Sequence, residues 1–516
     1  MLLSVVLPLL SFALSASATD DTFGKDDTHG AAATEVDECS EIGVDIMKLG
    51  GNAVDAIISS TLCVGVVAAY HSGIGGGGFG IVRFNTRYGH NYEMASGNET
   101  MYVNSTDPTA STIGGLSVGV PGEIRGWETL HARHGKLPWA ILFQPAIQLA
   151  RGGFKVTPDL AKYLNADNYP FLLKDPLWAE VYAPHGRLLR QGETAYRRRY
   201  ANTLEKIAIF GADVFYHGTI AHNNAKAAVS QGGILTVNDL AGYSAIIRTP
   251  ANITYRGHRI FSTIAPSSGS VVLSILKIFE GFPGNASDSD PAINLTTHRL
   301  IQATKFGYGQ RTNYGDPAFT ANVTELEKSV TLRRIVPVSH VATMDKSGMA
   351  VSLTTTVNLI WGSRVMTEDG IILNNEMDDF SSPGRSNSFG FAPSPTNFIR
   401  PGKRPQSSIS SSIVEDASGA LHLHYHLDMG LTASHAVHHG RWHDQLTATT
   451  YFEEARPDIG VAGIDNRTVN YLTSLGYNKT YSYVFGSTGH VITRSKDGVF
   501  EAASDPRALA SGGAAY

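Results

Sequence analysis

Cysteine is nearly missing: Cys39 and Cys63 are the two thiols in 516 residues. So sparse a supply excludes a disulfide-built scaffold and a cysteine-ligated metal module. Positive charge is not in excess either. Forty-one Lys and Arg stand against 46 Asp and Glu, for a net charge of −5. Phosphate binding needs the opposite balance, so nucleic acid is excluded as a partner. Beyond the N-terminus there is no long apolar run. Residues 56–70 are apolar but short, and Ser59, Ser60 and Thr61 interrupt them, too few to cross a bilayer. Internal repeats are absent. What is there, 42% hydrophobic residues over this length, is ample for a packed core.

Residues 1–18 are apolar and end Ala16-Ser17-Ala18, the pattern of a secretory signal peptide with its cleavage site. The expected location is therefore extracellular, with a vacuolar or membrane-anchored protein as the alternative if the segment stays uncleaved. Eight N-x-S/T triplets, headed by Asn98, Asn104, Asn252, Asn285, Asn294, Asn322, Asn466 and Asn478, predict a glycosylated surface. In that compartment the two cysteines can pair. Residues 19–34 are small and charged and predict a disordered mature N-terminus.

Helical spacing starts at Glu35, and Gly50-Gly51 stops it. Asn52 is placed to cap a second, apolar helix. Next comes SGIGGGGF, residues 72–79. It satisfies G-x-G-x-x-G, but a dinucleotide loop must follow a strand and open a helix. Here a helix precedes and a strand follows, which excludes that use. Residues 158–209 read as helices, with Arg197-Arg198-Arg199 as a solvated basic turn. His422, His424 and His426 share one face if they lie on a strand. No acid or cysteine at ligand spacing supports them as a metal site.

The chain is organised around residues 338–381. A strand, a turn at Asp345-Lys346-Ser347-Gly348 and a second strand form a hairpin. Thr354, Thr355, Thr356 and Asn358 are polar on a strand that otherwise reads as buried, so the fold or a ligand must satisfy them. Then Asn374-Asn375-Glu376-Met377-Asp378-Asp379 concentrates three acids and two amides between apolar anchors, as a solvated loop or a ligand site.

GMAVSLTTTVN, IWGS, GIILNNEMDDFS and PGKRPQSS, residues 348–408 with gaps, resemble the γ-glutamyltransferases (glutathione hydrolases), fungal-like, and the resemblance runs from Glu35 to Tyr516. It implies an α+β, N-terminal nucleophile hydrolase fold, a four-layer αββα sandwich. Residues 35–337 then correspond to a large subunit and 338–516 to a small one, in one intertwined catalytic domain. It implies cleavage of the γ-glutamyl amide of glutathione and related peptides through an acyl-enzyme, which water, an acceptor amino acid or a dipeptide resolves. No cofactor is called for. By the same resemblance Glu376 and Asp379 hold the α-amino group and Ser407 and Ser408 the α-carboxylate. Thr356 and Asn358 line the pocket near the nucleophile, and Cys39–Cys63 is a disulfide between the first two helices.

Three departures stand against this. The family nucleophile is a Thr opening a T-x-H triplet; here the triplet is Val338-Ser339-His340, leaving Ser339 as the nearest hydroxyl. The family Arg that pairs with the substrate carboxylate is Tyr92. The Gly-Gly loop that supplies oxyanion donors is absent between His422 and Gly430. Two expectations remain open: a γ-glutamyl hydrolase/transferase, or a noncatalytic secreted relative retaining the fold, including a chain from which short segments have been lost.

Overall fold

The computed structural model describes residues 27–84, 87–91, 97–103, 105–282, 290–323, 327, 339–416, 431–444, 446, 449–482 and 488–516. The leader at 1–18, Tyr92, Asn104, Asn285, Val338, the three histidines at 422–426 and the stretch expected to lack the oxyanion loop lie outside them. Among the described residues no helix is long and apolar enough to cross a membrane.

The hairpin forms as its sequence predicts, with strands β7 (Ser339–Asp345) and β8 (Ala350–Thr356) antiparallel and Ser339 opposite Thr355. Gly348 takes the left-handed turn position at φ 80°, where a Cβ would be strained. The hairpin is the middle of a seven-stranded sheet. In sheet order the strands are β12 (Gly512–Ala515), β1 (Gly30–Thr34), β7, β8, β2 (Gly77–Arg83), β3 (Arg87–Asn91) and β4 (Ile246–Arg248). Strands from both halves of the chain intermix in it.

Strand residues alternate faces, and the two faces of β7–β8 meet different layers. Val341, Val351 and Leu353 enter the large core shared with α1 (Asp37–Lys48), α2 (Ala53–Val67) and α3 (Glu123–His134). Met344 and Ala350 face the other way, against Phe261, Ile413 and Phe500. Those residues belong to β6 (His258–Ser262), β9 (Ser412–Glu415) and β11 (Phe500–Ala503) of the second sheet layer. Behind it, Ile260 and Val414 pack on Leu273, Leu276 and Phe279 of α4 (Gly269–Glu280). Helix α5 (Asp290–Arg311) packs on α4. Helix, sheet, sheet and helix make the αββα sandwich.

Cys39 of α1 and Cys63 of α2 form a disulfide. Asn52 caps α2 and, with Asp55, forms a reciprocal capping box, which satisfies backbone donors that would otherwise be orphaned.

Two expectations need correction. The predicted disordered segment 19–34 contains β1, an interior strand paired on both sides. Its alanines carry no strand signal because they are small enough to lie between α1 and the second sheet. Arg197 is not solvated: its guanidinium is buried and donates to the carbonyls of Gly65 and Val66, at the end of α2, and of Gly370. The glycines at 75–78 fill no ligand loop but lie against neighbouring backbone. A Cβ on Gly75 would stand 2.0 Å from the Ile372 carbonyl oxygen and one on Gly76 1.9 Å from that of Thr356, so backbone packs on backbone there.

Candidate active site

The acid-rich loop is built on that close packing. The Asn374 backbone and side chain both donate to the Gly75 carbonyl, at 3.0 and 2.8 Å, and its Oδ1 accepts from the Gly119 and Glu376 amides. Asn375 donates from Nδ2 to the Thr112 carbonyl and accepts from the Leu359 amide. Asn358, held at φ 72°, donates to the Asn375 carbonyl at 3.0 Å, while its own amide donates to Thr356 Oγ1 at 2.6 Å. The two amides of the loop, and the candidates Thr356 and Asn358, therefore make hydrogen bonds within the fold. They fix the backbone from which Glu376 and Asp379 project.

The acids have different surroundings. Asp378 accepts from Ser111 Oγ and the Ser388 amide. Glu376 is buried in the one-turn helix 376–379. Asp379 is only partly covered. Burial and the neighbouring Asp378 push its carboxyl up to about 8, against the opposing pull of Arg311. Burial lowers the Arg311 guanidinium to about 10, still charged at neutral pH, and Asp379 opposes that shift.

The hydroxyl pair reaches the same point. Ser407 and Ser408 are both buried, and the Ser407 amide donates to the Pro266 carbonyl. Arg311, the last residue of α5, donates from Nη2 to Ser408 Oγ and from Nε to Ser268 Oγ, both at 3.4 Å. Asn397 ties the two segments from below: its Nδ2 donates to the Asp379 carbonyl and its Oδ1 accepts from the Gln406 amide. The structure thus brings Asp379 and Ser408 together around one guanidinium.

The start of β7 is arranged differently. Ser339 is fully buried and sits opposite Thr355, whose hydroxyl donates to Glu123 at 2.8 Å. Burial raises that Glu123 carboxyl to about 8, against the Thr355 hydrogen bond. Glu35 is lowered overall: burial pushes it up, but His71, Ser339 and His490 outweigh that. The neighbouring His340 points to the other face, with Nδ1 2.9 Å from Thr354 Oγ1. Burial, with His490 nearby, lowers it to about 3 and keeps it neutral. Thr354 and Thr355 are thus satisfied by the fold.

The sequence and fold are shared with known proteins. The family model described as gamma-glutamyltranspeptidase matches residues 39–337 and 327–515. A glutathione hydrolase proenzyme of Arthroderma benhamiae is 41% identical, over 99% of this chain and 98% of its own. The chain belongs to the γ-glutamyltranspeptidase family. A glutathione hydrolase of Aspergillus flavus is 37% identical over 94% of this chain and 89% of its own. A cephalosporin acylase from Bacillus halodurans superposes with a TM-score of 0.81 at 25% identity, covering 99% of both chains. This member of the γ-glutamyltranspeptidase family is an enzyme type of γ-glutamyl hydrolysis and transfer, built on the N-terminal nucleophile hydrolase fold.

Sequence reasoning missed Arg311, Ser268 and Asn397. Their only local signal is polarity. They matter because they meet residues 18, 43 and 97 positions away, contacts that spacing along the chain does not reveal.

Proposed function

We propose that this γ-glutamyltranspeptidase-family chain acts on glutathione and related γ-glutamyl peptides, and that the glutamyl group passes to water, an acceptor amino acid or a dipeptide. The observation that carries the reading is the convergence of Asp379 with Ser407 and Ser408. An amino acid end carries an ammonium and a carboxylate, so its site needs an acid beside donors for the carboxylate. The Ser408 hydroxyl, with Ser407 next to it in the chain, and Asp379 meet that need around one corner. Family coverage of the whole chain supports the same substrate class.

The test is release of nitroaniline from γ-glutamyl p-nitroanilide by the full chain, with and without a dipeptide acceptor. Release above the buffer rate, increased by the acceptor, is expected. Tight binding of glutathione with no release would assign the chain to the noncatalytic reading instead.

The same proposal covers location: a secreted glycoprotein. Support comes from the N-terminal pattern and from exposed sequons at Asn98, Asn252, Asn322, Asn466 and Asn478. Asn294 is half-buried and accepts from Thr468 Oγ1, which makes it the poorest acceptor of those described. A glycosidase-sensitive mass shift in the secreted protein is the expected result; an unshifted, cell-retained chain would refute it.

A further inference from the structure

Arg311 is 7% exposed, and a buried charge is costly unless an opposite charge or several hydrogen bonds meet it. What meets it is meagre. Two hydrogen bonds run to the neutral hydroxyls of Ser268 and Ser408, both at 3.4 Å. The face of Phe391 lies 4.5 Å from the guanidinium carbon. Among the described residues the acid that acts on it is Asp379, through space rather than by a hydrogen bond. Among the described residues no carboxylate comes within the 4.0 Å of an ion pair. Asp379 is itself a poor counter-charge while its carboxyl keeps its proton.

A guanidinium presents its donors in a planar fork that matches a carboxylate. This one lies beside the Ser408 hydroxyl, across from the acid proposed to take an ammonium. We propose that Arg311 is the cation of a carboxylate subsite, binding the α-carboxylate of the γ-glutamyl group together with Ser408. The assignment rests on reading this corner as the γ-glutamyl site. It gives the zwitterion one charge of each sign: Arg311 for the carboxylate and Asp379 for the ammonium. Ligand binding supplies the anion that Arg311 lacks. The position of Arg311 is held independently of ligand, because Gln406 Nε2 donates to its carbonyl at 2.7 Å.

The test compares two ligands on the full chain by calorimetry: γ-glutamyl anilide and its α-carboxamide analogue. Wild type is expected to prefer the carboxylate about 10- to 100-fold, the range for a hydrogen-bonded charge. Arg311→Met should abolish the preference by weakening the carboxylate ligand alone. Arg311→Lys, which keeps the charge but not the fork, should keep part of it; thermal melts of both variants check folding. Equal loss of both ligands in the two variants would make Arg311 structural, and an unchanged preference would also overturn the assignment; either leaves the γ-glutamyl reading standing. If wild type binds neither ligand, the γ-glutamyl reading itself fails and the subsite falls with it.

Discussion

The loop at 374–379 and the first residues of β7 lie at neighbouring ends of one strand pair, yet the chain treats them differently. In the loop, the Asn amides bond to backbone and leave Asp379 facing Arg311 and Ser408. At β7, the hydroxyl that sequence offers, Ser339, is buried among Glu35, Thr355 and Glu123, on the face opposite His340. Binding and chemistry have separate requirements. A binding corner works through charge and tolerates small shifts, whereas displacement of a nucleophile by about 1 Å costs on the order of a hundredfold in rate. The comparison teaches that affinity for the γ-glutamyl end and turnover can part company in this chain.

Asp379→Asn removes the acid proposed to hold the ammonium. Affinity for glutathione should fall roughly 10- to 100-fold, the magnitude of a charged hydrogen bond, while a ligand lacking the α-amino group should be unaffected. Equal loss of both ligands would show that Asp379 only holds the loop. Ser408→Ala removes one neutral acceptor, and a drop of about 2- to 10-fold is expected. A larger loss, matching Arg311→Met, would mean that Ser408 orients the guanidinium rather than merely touching it.

The smallest effect belongs to the other region. Ser339→Ala should change affinity for glutathione by no more than about twofold, because its hydroxyl faces the helix layer. Its Oγ is buried beside the Glu35 carboxylate, so stability should move by only about 1 kcal/mol. Loss of turnover, or of a subunit split near residue 338, would place the nucleophile at Ser339 and erase the contrast.

Much of the scaffold was legible in the amino-acid pattern. The Asp345–Gly348 turn, the Asn52 cap and the alternating β8 strand are local signals, and local backbone preferences decide them. Strand β1 was not legible: Ala31, Ala32 and Ala33 are selected by the space between layers, which appears only after the sheet closes. Arg197 misled for a related reason, since its partners are carbonyls 130 residues earlier. In the site, the acids and serines stood out as types. Their division of labour did not: Asn374 and Asn375 looked as functional as Asp379 until their backbone partners were known. Arg311 carried no mark beyond its charge.

Capture of the ammonium depends most directly on the charge state of Asp379. Burial and Asp378 push its carboxyl up to about 8, with Arg311 opposing and remaining charged. Below that pH it is protonated and cannot take an ammonium; above it, it is ionised and can. Affinity for glutathione should therefore rise with pH, by up to about tenfold per unit below 8, and level off above it. Binding at pH 7 should release close to one proton. Calorimetric titration from pH 6 to 9 in buffers of different ionisation enthalpy measures both quantities. A rise and plateau with proton release is the predicted result, and affinity that is flat or falls with pH, with no proton released, would contradict it.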